Sequence, residues 1–389
     1  MKYGLVAYDF SLPATNIGNE IQTLAAAQFL PRIDKFFYFL DFSRDCVTDE
    51  HYKLIFNGYW FPDYFLENNF GFSPQDMLIH YEPIHRSPRR PPEKIIQRQR
   101  IDLRSDIEFL PVSIHFQPNS DQLVVSPDVQ RYLNAYGGGV GARDIVTAQI
   151  FNAMGVKSYF SGCLTLTLCR NKNISKGDYI IVSGHTKLKR LFPFVVSKTK
   201  RPVYDLSDYI TSNCGGAIEN LVMGESMLDL LQGAHCVVTS RLHTALPALA
   251  LGAPVLFVYS PIAVPDYKGG DINSVHRLSG LAALLNTVEE NYYYANYSVY
   301  DVDNPPPNKP DYLRLRQGLI ERCAEFMGED NSYPGDNGRV SVLDKIKGSN
   351  ASEVHANIFK TNVRMLNDKL TAFRNVTMYM NSISGFQVL

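Results

Sequence analysis

Residues 232–259 read QGAHCVVTSRLHTALPALALGAPVLFVY, and this pattern decides the architecture. Cys236–Thr239 is an apolar run of strand length. Thr244–Leu251 is built from Ala and Leu, good helix formers, and its register stops at Gly252. Pro254–Tyr259 is a second β-branched and aromatic run, so strand, helix and strand make one complete βαβ unit with parallel strands. Arg241 and His243 fall in the turn between the first strand and the helix. In open α/β sheets ligands collect outside the carboxyl ends of strands, and the helix that follows turns unpaired N–H groups and its positive dipole end toward them. The stretch therefore reads as an anion site. The structural alternative is a surface ion pair for Arg241 and a helix cap for His243.

The same alternation extends outward. Strands are expected at Tyr3–Tyr8, Phe36–Leu40, Leu54–Phe56, Val112–Phe116 and Gly139–Ala142, with Lys157–Leu166 closing a first sheet. A first helix is expected at Ile21–Phe29, after the turn Thr15-Asn-Ile-Gly-Asn-Glu20. The polar stretch Arg170-Asn-Lys-Asn-Ile-Ser-Lys-Gly177 reads as a linker. Beyond it strands are expected at Asp178–Ser183, Pro202–Leu206, His235–Thr239 and Val255–Tyr259, and helices at Ser226–Leu231, Thr244–Leu251, Ser279–Leu285 and Asp311–Phe326. The fold class is α/β, with two Rossmann-like parallel-sheet domains, 1–170 and 171–330, facing a cleft in the B-type glycosyltransferase manner. A C-terminal helical tail, 331–389, follows. Its amphipathic stretch Ala356–Phe373 suits a sheet face or a subunit contact, so a homo-oligomer is compatible with the sequence. Arg86-Ser-Pro-Arg-Arg-Pro-Pro92 and Asp303-Asn-Pro-Pro-Pro-Asn308 are loops by composition.

Composition removes several function classes. With 389 residues, 45% of them hydrophobic, the chain can bury large cores. A net charge of -1 and a pI near 6.8 give no global basic field, so nucleic acid is not an expected partner and an anionic ligand needs a local cluster. MKYGLVAYDF at the N-terminus lacks the apolar core of a signal peptide, and no apolar run is long enough to span a bilayer. A cytoplasmic location is expected, at the inner membrane face where an acceptor is lipid-linked. The cysteines at 46, 163, 169, 214, 236 and 323 form no CxxC pair and no metal spacing, which points to reduced structural thiols and to no metal site. The sequons at Asn173, Asn296, Asn350 and Asn375 lack a secretory context. Tyr292-Tyr293-Tyr294 and Asn57-Gly58-Tyr59-Trp60-Phe61 suit either sugar stacking or ordinary packing. No G-x-G-x-x-G follows the first strand, which argues against a dinucleotide oxidoreductase.

Three motifs together resemble the polysaccharide pyruvyl transferase family: Asn16-Ile-Gly-Asn-Glu20 before the helix IQTLAAAQFL, Val140-Gly-Ala-Arg-Asp144 with Thr147 after it, and Thr239-Ser-Arg-Leu-His243 with its Ala-rich helix and GAPVLFV strand. They span most of residues 1–260, and the third is the most specific. The chain departs from the family where Asn19 replaces an acidic residue and where Asn57-Gly58-Tyr59 replaces a more glycine-rich stretch. The resemblance implies transfer of the pyruvyl group of phosphoenolpyruvate onto two hydroxyls of a saccharide, free or lipid-linked, giving a cyclic ketal and phosphate, with phosphoenolpyruvate as donor substrate and no cofactor.

That chemistry needs guanidinium forks for a phosphate and a carboxylate, and Arg143 and Arg241 are the candidates. It also needs an acid to protonate the enol carbon, for which His243 is the candidate; a helix N-terminus lowers its pKa and a bound dianion raises it. His115 either receives the hydroxyl proton or helps phosphate leave, unless it is a hydrogen-bonded structural histidine. Asn16, Asn19 and Glu20 suit sugar hydroxyls or a helix cap. Asp144 orients Arg143 or caps a helix, and His185, in Val182-Ser-Gly-His-Thr186, is a further anion-site candidate. Two other readings stand beside this one. One is a nucleotide-sugar glycosyltransferase with Glu225 on the ribose; the other is a non-catalytic saccharide-binding protein on the same fold.

Overall fold

The computed structural model describes residues 1–7, 14–38, 50–59, 107–115, 133–134, 138–184, 190–206, 210–212, 217–259 and 275–346. The first half comprises β1 (Lys2–Ala7), β2 (Ala14–Asn16), α1 (Ile17–Ala27), β3 (Lys35–Tyr38), β4 (Tyr52–Tyr59), β5 (Ile107–His115), β6 (Val140–Ala142), α2 (Ile145–Ala153) and β7 (Ser158–Phe160). The second half begins with β8 (Ile180–Ser183), α3 (Leu191–Val196), β9 (Val203–Asp205), β10 (Ile210–Ser212), α4 (Ala217–Gly233) and β11 (Cys236–Thr239). It continues with α5 (Leu242–Ala250), β12 (Val255–Tyr259), α6 (Val275–Leu278), β13 (Asn286–Glu289), α7 (Glu290–Ala295), α8 (Tyr312–Met327) and α9 (Val342–Lys345).

Two parallel sheets result. One is ordered β3-β1-β4-β5-β6-β7, the other β13-β12-β11-β8-β9, and every pairing within them is parallel. Counted within its own sheet, each begins with the doubly wound order 2-1-3-4-5, whose winding reverses between the first and third strands. Those reversal points lie between β1 and β4 in one sheet and between β8 and β11 in the other. The fold is α/β with two Rossmann-like sheets, as the alternation predicts. A short antiparallel ladder joins the halves: β10 pairs with β2, Ile210 opposite Asn16 and Ser212 opposite Ala14.

Strands buried on both faces read as unbroken apolar runs, and β8, β11 and all but the last residue of β12 are buried. One hydrophobic cluster runs through both halves, from Leu5, Ile21 and Leu24 to Leu221, Leu228, Val237 and Leu246. Helix α1 lies against α4 so closely that a Cβ at Gly224 would stand 3.0 Å from Leu24 Cδ1. A second cluster covers the other face of the β8–β13 sheet with Val182, Val238, Tyr293 and Tyr300, Phe194 packing on it.

Several local expectations change. Within Lys157–Leu166 only Ser158–Phe160 is strand, and Leu164–Thr167 is a buried 3-10 turn. Ser279–Leu285 is not an α-helix; it holds a 3-10 turn, Ala282–Leu284, ahead of edge strand β13. Helix α1 starts at Ile17 rather than Ile21 because Asn16 caps it, its side chain accepting from Gly18 N at 3.1 Å. Helix α5 starts at Leu242, which puts His243 in its first turn, and Gly252 (φ 81°) takes the left-handed conformation just past its end.

After α8 the chain returns to the first half. Ser332 N donates to Phe29 O (3.0 Å), Tyr333 stacks on Phe29 with centroids 4.7 Å apart, and Ile346 bridges Ile33. Buried Lys345 donates to Ala27 O (3.0 Å), Gln28 O and Leu30 O (both 2.8 Å), the carbonyls at the C-terminal end of α1. Of the expected helical tail, residues 331–346 carry a 3-10 turn, Gly335–Asn337, and one α-helical turn, α9, and the Ala356–Phe373 candidate lies outside the described residues. So do Trp60, Phe61, Arg86–Pro92, Cys46 and Cys214. Cys163, Cys169, Cys236 and Cys323 are buried free thiols. Among the described residues no helix is long and apolar enough to cross a membrane.

Candidate active site

The site is assembled from the carboxyl ends of strands in both sheets. At the β8/β11 reversal point Thr239 Oγ1 donates to Ser183 O (2.7 Å) and accepts from Arg241 N (3.0 Å). The Arg241 side chain reaches across the reversal point, Nε donating to Gly184 O at 3.3 Å. Arg241 is the N-cap residue of α5 by backbone, and no side chain caps that helix. The helix therefore opens with N–H groups not taken by a side-chain cap, while α1 and α2 are closed by Asn16 and Asp144. Pro247, inside α5, has no N–H to donate to the His243 carbonyl one turn back.

From the first sheet come His115, last residue of β5, and Arg143, just past β6. Both are 0% exposed, and Arg143 is the largest fully buried side chain described. Arg143 N donates to Ile114 O at 2.7 Å, which ties the end of β6 to β5. Asp144 serves two partners: Oδ1 accepts from Thr147 N at 2.8 Å and caps α2, and Oδ2 pairs with His115 Nδ1 at 2.7 Å. His243, at the head of α5, lies over the N-terminal turn of α1, where only glycine fits: a Cβ on Gly18 would stand 2.7 Å from His243 Nδ1.

The two histidines and two arginines feel one another. Burial first, then the charge of Arg143, pushes His115 down to about 3, against the hydrogen bond to Asp144 and with a further downward push from Arg277. Burial, Arg143 and Arg277 likewise hold His243 well below the ordinary histidine value. Burial would raise Asp144, but its bond to His115 and the charge of Arg143 outweigh this, and its carboxyl stays below the usual range. At neutral pH the site is thus two neutral imidazoles and a carboxylate set among guanidinium cations in a water-poor place. The arrangement suits a compact anion, which would offset the guanidinium charges that add to burial in keeping the histidines neutral.

Of the residues singled out in the sequence, His243, His115 and Arg143 come together with Asp144. Arg241 reaches toward the β8 end, its Nε donating to Gly184 O. Asn16 is spent on capping, Asn19 is half-buried on the first turn of α1, and Glu20 is buried against α4, where a Cβ at Gly224 would stand 3.4 Å from its Cβ. His185 lies outside the described residues. Sequence reasoning missed Arg277, on the one-turn helix α6, whose VHRL carries no periodic signal. It also missed the Asp144–His115 pair. The residue after α6 braces the site: Ser279 O accepts from Ile145 N (3.2 Å) and Ser279 Oγ from Val146 N (3.1 Å), holding the head of α2.

Two other expectations are settled by local contacts. Glu225, the carboxylate expected on the ribose in the glycosyltransferase reading, is half-buried and committed to the returning chain: it accepts from Ser341 Oγ and Val342 N, both at 2.8 Å, at the head of α9. In the Tyr292–Tyr294 run, Tyr293 is buried in the core and Tyr294 packs on Phe194 with centroids 4.7 Å apart, leaving Tyr292 exposed.

No family model and no curated protein matches the chain. Among solved structures it is similar to a functionally uncharacterised protein from Klebsiella pneumoniae, at 13% identity and a TM-score of 0.37 over 74% of this chain and 92% of that one. A glycosyl transferase family 9 protein from Veillonella parvula follows at 10% identity and a TM-score of 0.21, over 84% of this chain and 97% of that one. The fold assignment rests on strand order and direction, not on these likenesses.

Proposed function

We propose that the chain is a transferase of the polysaccharide pyruvyl transferase kind, which moves the pyruvyl group of phosphoenolpyruvate onto two hydroxyls of a saccharide as a cyclic ketal and releases phosphate. One observation carries the reading: a buried His115 and a half-buried His243, both neutral, lie within the electrostatic reach of Arg143 and Arg277 at the carboxyl ends of two doubly wound sheets. Phosphoenolpyruvate has the matching chemistry, a phosphate and a carboxylate on three carbons and an enol carbon that must be protonated. Guanidinium groups bind both anions in forked fashion, and the uncapped head of α5 adds backbone N–H donors. The donor's charge raises His243, which then gives its proton to C3 and leaves C2 open to a hydroxyl. A larger nucleotide-sugar donor finds less support, since Glu225 is bound to α9.

The test is calorimetric titration with phosphoenolpyruvate and, separately, a nucleotide sugar, on wild type, Arg143→Ala and Arg241→Ala, followed by phosphate-release assays over a panel of saccharides. Loss of a buried charge-assisted contact at Arg143 should weaken phosphoenolpyruvate binding by about 100-fold or more. Arg241→Ala, at the rim, should cost less. Binding of the nucleotide sugar alone would replace this reading with glycosyl transfer, and saccharide binding without release of phosphate or nucleotide would make the protein a lectin-like binder.

A further inference from the structure

His115 and His243 stand in one cationic cluster but in different surroundings. The charges of Arg143 and Arg277 bear on His243, with His115 acting on it as well. His115 faces the same two arginines and also a carboxylate, Asp144 Oδ2, 2.7 Å from Nδ1. Asp144 is fixed on its other side by Thr147 N, and its carboxyl is held below the ordinary range, so it is ionised at neutral pH. An ionised carboxylate can only accept. Nδ1 of His115 therefore carries the imidazole hydrogen, and Nε2 carries the lone pair.

The backbone is shaped to hold that ring. The β4–β5 register shifts between Phe56 and Gly58, opposite the stretch that contains Ser113. Ser113 takes φ 57°, a left-handed conformation rare for a side-chain-bearing residue, and its Oγ donates to Gly162 O at 2.8 Å. Such irregularities re-aim the residues that follow. Here the residue re-aimed is His115.

We propose that the Asp144–His115 pair is the base that takes the proton of the first attacking acceptor hydroxyl, while His243 is the acid on the donor, so that the two histidines act in opposite directions on one reacting carbon. This rests on the ketal-transfer reading above and assigns roles within it. His115 is then a catalytic residue and Asp144 a positioning residue.

The proton ledger closes. His243 gives a proton to C3 of phosphoenolpyruvate, converting the methylene to a methyl group, as the first hydroxyl oxygen bonds to C2 and its proton passes to His115 Nε2. The C2–O(phosphate) bond then breaks with its electron pair on the phosphate, which takes the proton back from His115. The second hydroxyl bonds to C2 and its proton returns to His243. Two hydroxyl protons leave the acceptor, one ends on carbon and one on phosphate, and both histidines finish as they began. A donor lying between Arg143 and Arg277 offsets the charges that weaken His115 as a base and leaves Asp144 to strengthen it. The acceptor is thus deprotonated only with the donor in place.

The experiment uses the full chain with ¹⁵N-labelled histidine. In wild type the His115 signals should report hydrogen on Nδ1 and a bare Nε2. In Asp144→Asn the amide should donate to Nδ1 and move the hydrogen to Nε2. That variant should bind phosphoenolpyruvate within about threefold of wild type yet release phosphate about 10³- to 10⁴-fold more slowly, the scale of loss when a catalytic histidine is held in the wrong tautomer. His115→Gln keeps the Asp144 cap on α2 and should show the same split between binding and turnover if Asp144→Asn folds poorly. Hydrogen on Nε2 in wild type overturns the assignment. So does an Asp144→Asn enzyme with kcat within about tenfold of wild type and an unchanged pH profile. If wild type turns over no phosphoenolpyruvate with any saccharide, it is the ketal-transfer reading that fails, and the base role falls with it; the tautomer measurement separates that failure from a wrong proton assignment.

Discussion

At the scale of single residues, the site works by placing side chains where ordinary values do not hold. His115 and His243 are neutral when folded because burial and neighbouring arginines oppose their charging. Their folded pKa values lie below the unfolded value near 6.5, so the unfolded chain binds more protons as pH falls and stability declines below that point. For His115 the window runs from about 6.5 down to about 3. Each histidine should contribute a slope of up to about 1.4 kcal/mol per pH unit. Urea unfolding between pH 6.5 and 5 should show a shallower decline in His115→Gln than in wild type, and phosphoenolpyruvate should flatten the wild-type curve; parallel curves would contradict the buried neutral state. Gly18 gives a complementary test. Ala at a helix position should add about 0.5–1 kcal/mol of helix stability, but its Cβ would stand 2.7 Å from His243 Nδ1 and must displace that ring. That Cβ would also stand 2.9 Å from His243 Cβ, which turning the ring cannot relieve, so Gly18→Ala should lower Tm while kcat/KM falls by up to about 100-fold, the cost of displacing a catalytic group by roughly 1 Å. Unchanged kinetics would mean that His243 has no exacting position. His243, Arg143 and His115 could be found in the sequence because strand ends are where such chemistry collects. The bond between His115 and Asp144 could not, since 29 residues separate partners that meet only through the parallel β5–β6 neighbours.

At the scale of elements, α1 is held at both ends by parts of the chain remote in sequence. Its N-terminal turn meets His243, and its C-terminal carbonyls accept three hydrogen bonds from Lys345. An ammonium there also complements the negative end of the helix dipole. Lys345→Met should lower stability by about 1–3 kcal/mol, because buried carbonyls lose their donor. Thermal unfolding reads this directly, and a Tm equal to wild type would show that other donors replace the lysine. The elements that could be read in the sequence are those whose burial writes a pattern. Strands β8, β11 and β12 are apolar on both faces, and α5 lies between them bounded by Arg241 and Gly252. Strand β13 is NTVE, with Val288 alone apolar, and it exists because the free edge of β12 offers it a partner. Strands β2 and β10 are three residues each, ATN and ITS, and they are made by meeting one another. Helix α4 spans Ala217–Gly233, well beyond the expected Ser226–Leu231, and its Gly224 is what admits Leu24 of α1 so close.

At the scale of the whole molecule, the two sheets are not two independent cores. The cluster that begins at Tyr3 in one runs to Leu285 beyond the other and on to Leu343 in the returning segment, and α1 and α4 both contribute to it. Calorimetry should therefore show one cooperative unfolding transition, and two separated transitions would mean that the α1–α4 contact is weak. The halves are also tied by the β2–β10 ladder and by the returning segment from Ser332 to Ile346. Many two-sheet enzymes open like a book about one connecting strap. A book stitched along its spine, clipped at the fore-edge and taped across the back does not open. The shared core, the β2–β10 ladder and the returning segment together oppose a hinge opening of one half from the other, so under the proposed function substrates should reach the site with both covers held still.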